Sequence, residues 1–532
     1  ADNILPEHKK YDFIREIITD HELEIDDEAD FMRQIIQEIS LVKGQMIPLA
    51  YYHSGCCGDE VFKEIYRAYE EKLHENRWID FDDILVYTYE LLKEREDIRK
   101  AWQQKFPYIL IDEFQDINQV QYDVVKLLAQ PANNIFIVGD DDQSIYGFRG
   151  ARPDIMQSFG KEFSPEICKL NVNYRSKSEI IALAGRVIGH NKNRLDKKIT
   201  GAEKDFKPGS AVQVQEFQGM TEQNEKIREE ILAYRNRGIP YREMAVLFRT
   251  NTQARAISAK LKEYNIPFVM KEMVPNLYDH WIVRDILTYI KVACGNRERG
   301  NVMRIINRPK RYVHRNALAD AYIDLEELEL FYEDKDWMVD RIVNLRADLG
   351  LIADMRPYAA VNFIRRGVGY DDYIQEYAEY RGIRAGDMYE ILDELQEASK
   401  GFKDFEEWFA YIESYGEELK KQSEKSRQRD NGQPEDAVLL MTMHGAKGLE
   451  FECVFIPDVN EGVTPYSKAV LTEDIEEERR MFYVAMTRAK SHLHIYYLKE
   501  RFSKEVSVSR FVGEMLGAED AESSRISLSR KR

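Results

Sequence analysis

Cysteine, long apolar runs and excess positive charge are all scarce in this chain, and each shortage removes a class of protein. The five cysteines (Cys56, Cys57, Cys168, Cys294, Cys453) are odd in number and lack C-x-x-C spacing, so neither a zinc site nor a disulfide framework is expected. Cys56 and Cys57 are adjacent, between Gly55 and Gly58, and read either as an ordinary loop or as a redox or metal element. No apolar run approaches the ~20 residues of a membrane span. The opening A-D-N-I-L-P-E-H-K-K has no signal-peptide core, so a soluble, cytoplasmic protein with no membrane partner is expected. A formal net charge of -19 taken alone opposes a nucleic-acid partner, because phosphate contacts need a basic surface. Clustering of the cations removes that objection. Arg304, Arg308, Lys310, Arg311, His314 and Arg315 form one group, and Arg186, Lys192, Arg194, Lys197 and Lys198 a second. Each group reads as a phosphate-binding patch or as a solvated face.

What is present is enough chain, 532 residues at 44% hydrophobic composition, to build several cores. From about residue 8 to 100 apolar positions recur at three- and four-residue spacing, which predicts helices. At Phe106 short apolar runs ending in acidic or glycine turns begin to alternate with amphipathic helices, the grammar of a parallel α/β sheet. The runs are Tyr108-Ile111, Ile135-Val138, Leu170-Val172, Ala245-Phe248, Leu439-Met441, Val454-Ile456 and Leu493-Tyr496. Between about 282 and 435 strands stop, and a helical stretch ends in the polar segment K-Q-S-E-K-S-R-Q-R-D-N-G-Q-P.

Y-I-L-I-D-E-F-Q-D delivers Asp112 and Glu113 from a buried strand to the edge of a sheet where open α/β folds bind ligands. The first carboxylate, Asp112, suits Mg²⁺, and the second, Glu113, suits a base for water attacking a γ-phosphate. The next strand ends in G-D-D-D-Q-S-I-Y-G-F-R-G-A, placing Gln143 one strand over, where it could sense that phosphate. Tyr146, Phe148 and Arg149 follow, offering aromatic faces and a cation for stacking bases and holding phosphates of a single strand.

I-D-E-F-Q-D followed by G-D-D-D-Q-S-I-Y-G-F-R-G-A is similar to the Walker B and third motifs of UvrD/Rep/PcrA-type superfamily 1 DNA helicases. L-N-V-N-Y-R-S resembles the fourth motif, which implies Tyr174 on an adenine and Arg175 on the γ-phosphate. A-V-L-F-R-T-N-T-Q-A-R-A resembles the next strand and loop, making Arg249 and Asn251 nucleic-acid candidates. T-M-H-G-A-K-G-L-E-F resembles the fifth motif, implying His444 on DNA and Glu450 on the ribose. E-E-E-R-R-M-F-Y-V-A-M-T-R-A-K resembles the sixth, whose arginine, here Arg488, reaches the transferring phosphate across a domain interface. On a helix Met481, Val484 and Arg488 would share an apolar stripe. A departure from the usual Arg-Trp of the third motif is Gly147-Phe148, a smaller stacking face.

The resemblance implies two RecA-like parallel-sheet domains with ATP and Mg²⁺ between them and single-stranded DNA or a duplex junction across their tops, with movement 3′ to 5′. Residues 1-100 are expected to be a helical insertion of the first domain and 101-165 its C-terminal part. Residues 166-281 and 436-515 would be two parts of the second, 282-435 its helical insertion, and 516-532 a polar tail. The phosphate-binding string G-x-x-x-x-G-K-[ST] does not occur. Its absence, with a first residue Ala1, reads as a partial form of a longer helicase, inactive alone. The alternatives are a helicase-like DNA-binding scaffold without turnover and the motor subunit of a helicase-nuclease complex, with repair or nuclease proteins as partners. Without the strand expected beside Tyr108-Ile111, that run would be an exposed apolar sheet edge.

Overall fold

The computed structural model describes residues 3–21, 28–202, 209–272, 276–381, 384–428 and 436–517. The tail 518–532 and part of the polar segment, 429–434, lie outside the described residues. Five helices open the chain: α1 Glu7–Asp20, α2 Glu28–Gln45, α3 Asp59–Glu75, α4 Phe81–Glu94 and α5 Glu96–Lys105. Their heptad-like apolar positions meet in one core, including Ile14, Ile17, Ile35, Ile39, Phe62, Ile65 and Tyr69. Asp80 and Asp83 form a reciprocal capping box at the start of α4. The buried Lys43 ammonium neutralises them at 3.1 and 2.6 Å, so this charged knot is paired as burial requires.

Strands β1 Ile109–Ile111 and β2 Ile135–Ile137 run parallel, with Ile109 opposite Ile135. Alternation divides them by face. Ile111, Ile135 and Ile137 pack on Phe114, Tyr122, Ile155 and Phe159, whereas Leu110 is 72% and Phe136 61% exposed. The apolar exposure expected at Tyr108-Ile111 is therefore found on one whole face of the pair rather than only along an edge.

A six-stranded, all-parallel sheet follows, in the order β5-β10-β9-β6-β8-β7. Its members are β5 Val212–Phe217, β6 Met244–Phe248, β7 Phe268–Met270, β8 Val438–Thr442, β9 Phe451–Ile456 and β10 Ala489–Leu498; two-residue strands β3 Val172–Asn173 and β4 Thr200–Gly201 pair separately. Every residue of β6 is buried. Ala245 and Leu247 enter the core on one face and Met244, Val246 and Phe248 the core on the other, the mark of a central parallel strand covered on both sides.

Between β7 and β8 the chain leaves the sheet for helices running from Trp281 to Gln428, packed around their own core of Ile282, Ile286, Tyr289, Ile342, Tyr370 and Trp408. No described helix is long and apolar enough to cross a membrane.

Two expectations are corrected here. Leu170-Val172 is not a buried strand: Leu170 is 86% exposed, and pairing begins only at Val172. The basic group around residues 304–315 is largely internal wiring. Arg304 and Arg308 each reach the wholly buried Asp285 carboxylate at 2.7 Å, and buried Arg311 donates to the Tyr289 hydroxyl and the carbonyls of Ile305, Ile306 and Pro309.

Candidate functional site

At the end of β1 the backbone turns left-handed at Glu113, φ 51°, a conformation a non-glycine residue adopts only where its surroundings fix it. The Glu113 N–H donates to Asp112 Oδ1 at 2.9 Å, and both carboxylates are exposed. Gln115, buried, holds the arrangement: its amide nitrogen donates to Glu113, and its amide oxygen accepts from Asp140 N at 2.9 Å. A Cβ at Gly139 would lie 2.6 Å from that oxygen, so only glycine lets the two loops approach this closely. Gln143 then donates to Asp140 Oδ2 at 2.7 Å. The residues expected at the ends of β1 and β2 thus form one hydrogen-bonded row.

Asp140, Asp141 and Asp142 bring carboxylate oxygens within 4.8 Å of one another. A divalent cation is the obvious occupant of such a group, but Lys197 pairs with all three. Arg194 adds a bidentate contact to Asp142 at 3.0 and 2.6 Å. Two members of the second basic cluster are therefore committed to a clasp between the two halves of the molecule and are not open to DNA.

Across the cleft, Arg175 Nε donates to Glu450 at 2.6 Å, and Lys490 reaches the same carboxylate at 3.1 Å. These cations hold Glu450 below the usual carboxylate range. Tyr174 is 84% exposed beside them. Arg488 lies just beyond the helix Thr472–Met486, in the turn before β10, so it does not continue the helical stripe of Met481 and Val484. It is 2% exposed. Its guanidinium donates to Val484 O at 2.9 Å, Leu449 O at 3.3 Å and Thr487 Oγ1 at 3.2 Å, with no carboxylate ion pair among the described residues. Burial, then the neighbouring positive charge of Arg175, lowers its pKa to about 10. A desolvated guanidinium next to a second arginine favours an anion between them.

The aromatic loop meets the second half edge on. Tyr146 and Phe148 pack at 6.0 Å, and Phe148 stands perpendicular to the His444 ring at 5.4 Å. The Arg149 guanidinium lies over both aromatic rings at 5.2 and 5.5 Å. Burial, then Arg249 and Arg149, keep His444 neutral by lowering its pKa to about 4. Arg249 itself is held by Glu478 at 2.7 Å and lies over the Tyr466 ring. Asn251 begins the short turn Asn251–Gln253 nearby. The structure brings Tyr146, Phe148, Arg149 and His444 together, whereas Arg249 is occupied by its carboxylate.

Four contributors escaped sequence reasoning. Lys447 bridges the halves by pairing with Asp116 and donating to Gln143 O at 2.8 Å, its ammonium 4.9 Å from the Tyr146 ring centre. Arg480 donates to Ser144 O at 3.1 Å. Glu477 accepts from Gly147 N at 3.0 Å, and Glu478 holds Arg249. All four lie inside motifs already recognised, which was the available signal; their partners show up only once the halves are docked.

With this geometry in place, residues 3–164 match the model of the UvrD/REP helicase N-terminal domain and residues 168–500 that of the UvrD-like helicase C-terminal domain. The chain belongs to the UvrD-like helicase family. Among its relatives, YjcD of Bacillus subtilis strain 168 is 32% identical over 514 residues, covering 92% of this chain and 65% of that protein. The ATP-dependent DNA helicase PcrA of Staphylococcus epidermidis is 32% identical over 485 residues, covering 85% and 64%. The ATP-dependent DNA helicase Rep of Escherichia coli K12 is 28% identical over 502 residues, covering 90% and 73%. The chain thus spans about two thirds of the length of these helicases, and its mixed α/β architecture with a six-stranded parallel sheet is that of a RecA-like motor.

Proposed function

We propose that this chain carries the DNA-tracking and phosphate-sensing half-sites of an ATP-dependent motor that moves 3′ to 5′ on single-stranded DNA and opens duplex at junctions. The observation that supports it best is Arg488, a buried cation without a carboxylate partner among the described residues, beside Arg175 and facing the acidic loop that ends in Gln143. Arg175 and Arg488 would neutralise charge on the transferring phosphoryl group, the largest electrostatic demand of that reaction. Glu113 would orient and deprotonate the attacking water. Tyr174, exposed, offers a face to an adenine, and Glu450 an acceptor to a ribose hydroxyl. The open Asp112 carboxylate fits Mg²⁺, which when bound would offset phosphate charge.

Tyr146, Phe148 and Arg149 with His444 would form the platform on which bases stack. Asn251 and Arg249 lie on the adjoining loop, the latter reaching a phosphate only by leaving Glu478. ATP-dependent closure and opening of the cleft would move the strand past this platform. Hydrolysis also needs a phosphate-binding loop, and the uncovered face of Leu110 and Phe136 is where polypeptide bearing one would pack. Repair or nuclease proteins are proposed partners, and the cytoplasm the proposed compartment.

The test is DNA-stimulated ATP hydrolysis by the 532-residue chain and by a form extended to include a P-loop. Turnover is expected only in the extended form, with Glu113→Gln abolishing hydrolysis while ATP still binds. Equal turnover in both forms, or wild-type rates in Glu113→Gln, would overturn the assignment.

A further inference from the structure

Cys56 and Cys57 sit in the loop between α2 and α3, outside the cleft and half-buried against the core of the first helices. A single side chain organises them. Ser54 Oγ accepts from the backbone N–H of Cys56 and of Cys57, both at 3.2 Å, and lies 3.4 Å from Cys56 Sγ and 3.6 Å from Cys57 Sγ. Two neighbouring side chains that would diverge in an extended strand are thus folded to the same side. The loop is pinned on both flanks: Gly55 N donates to Glu38 at 2.8 Å, Ser54 N to Asp59 at 3.0 Å, and His53 contacts Asp59 at 2.6 Å.

We propose that Cys56 and Cys57 form a thiol-redox site that a hydroperoxide converts into a disulfide between adjacent residues. The two thiols are inequivalent. Cys57 is the one whose ionisation is favoured, by interaction with Cys56 and with Ser54 Oγ, 3.6 Å from its sulfur, against burial, Glu38 and Asp59. It also lies just before the start of α3, where the helix N-terminus favours a thiolate. Cys56 is held as a thiol by its interaction with Cys57 and by burial. That is the division of labour of an attacking and a resolving cysteine.

In the first step the Cys57 thiolate attacks the terminal peroxide oxygen: an S–O bond forms, the O–O bond breaks, and the leaving hydroxide or alkoxide departs as water or alcohol on taking a proton. In the second, Cys56 sulfur attacks the resulting sulfenic acid: an S–S bond forms, the S–O bond breaks, and hydroxide leaves as water with the Cys56 proton. The hydroperoxide is the oxidant and two thiols are the reductant. Adjacent Cα atoms stand ~3.8 Å apart, below the usual ~4.4 Å minimum for a disulfide. The product is therefore strained and readily reduced, the property of a reversible switch rather than a structural bridge.

The exposed, isolated Cys168 and Cys294 serve as internal controls. The reduced 532-residue chain is exposed to hydrogen peroxide, quenched with N-ethylmaleimide and mapped by mass spectrometry. The peptide containing Cys56 and Cys57 is expected to lose the mass of two hydrogens and all maleimide uptake, on the order of tenfold faster than Cys168 or Cys294 is consumed, and to regain both with dithiothreitol. Cys56→Ser should leave Cys57 as a sulfenic acid captured by dimedone. Cys57→Ser should slow the reaction of Cys56 to the rate of the controls. Double maleimide labelling of the pair after Cys168 and Cys294 have reacted would overturn the proposal, as would equal dimedone capture in the wild-type chain and Cys56→Ser.

Discussion

Replacing Arg488 with methionine separates a residue that supports the fold from one held ready for an anion. The guanidinium is almost wholly buried and its pKa falls from its ordinary value to about 10. At ~1.36 kcal/mol per unit, keeping it charged costs the folded state roughly 3 kcal/mol. The cation is the disfavoured form, so this cost is present in full below about pH 10 and fades only as pH rises from there towards the ordinary arginine range. Methionine removes the charge while keeping most of the unbranched stem. It forfeits the hydrogen bonds to Val484, Leu449 and Thr487, each worth about 1 kcal/mol net. The two effects nearly cancel, so the thermal midpoint at pH 7.5 should stay within a few degrees of wild type, as for other buried charges replaced by apolar groups. In a form of the protein that turns over ATP, the same substitution should cut hydrolysis on the order of 10³-fold. Destabilisation by more than about 3 kcal/mol, the expected loss from breaking a buried ion pair, would show that Arg488 is a structural strut, and an unchanged rate would remove it from the phosphate site.

His444 is neutral in the fold because its pKa is lowered to about 4; its contribution to stability should be complete above about pH 6.5 and decline as pH falls towards 4, which urea titrations of wild type and His444→Phe at successive pH values would reveal as a smaller acid sensitivity in the variant. Lys447→Met removes the bridge to Asp116 and Gln143 and should cost about 1.5–3 kcal/mol of docking between the halves; small-angle scattering should show a more open molecule, and an unchanged profile would count against the bridge. Gly147→Ala places a methyl group against the Glu477 carboxylate and should lower stability by about 1–3 kcal/mol, with Glu477→Ala restoring most of the loss in the double variant.

Legibility in the sequence followed burial. The central strands β6, β8 and β9 are covered on both faces, so their residues read as continuous apolar runs. Edge strand β5, V-Q-V-Q-E-F, is buried only at its ends, Val212 and Phe217, and β7 is nowhere fully buried; neither announces itself by composition. Leu170 misled because an apolar residue in a short run carries no record of whether anything covers it. The motif residues were legible because their chemistry is spelled out in order along the chain. Their partners were not: the pairing of Arg249 with Glu478 spans 229 residues and that of Lys447 with Asp116 spans 331. Charge patterning within a short window cannot tell a cation awaiting phosphate from one already matched by a carboxylate elsewhere in the chain, which is why both basic clusters were ambiguous until the fold supplied the partners.

The contacts that join the two halves share one character. Lys197 and Arg194 on the aspartate loop, Lys447 on Asp116, Arg480 on Ser144 and Glu477 on Gly147 are all polar; Ile145, fully buried in the core of the second half, is an apolar anchor among them. Polar contacts exchange for water at little net free energy, so Ile145 is the main apolar contact that has to be withdrawn when the halves part. The loop carrying Ile145 also carries Gln143 on one side and Tyr146 and Phe148 on the other. If the proposed function holds, a change in charge at the phosphate end would act through three residues of chain on the aromatic platform. That short connection would convert the gain and loss of an anion into displacement of a stacked strand. In the form extended to include a P-loop, Ile145→Ala, which removes about 2–5 kcal/mol of packing, should loosen coupling: ATP turnover should persist with reduced DNA stimulation, and full stimulation in that variant would place the coupling elsewhere.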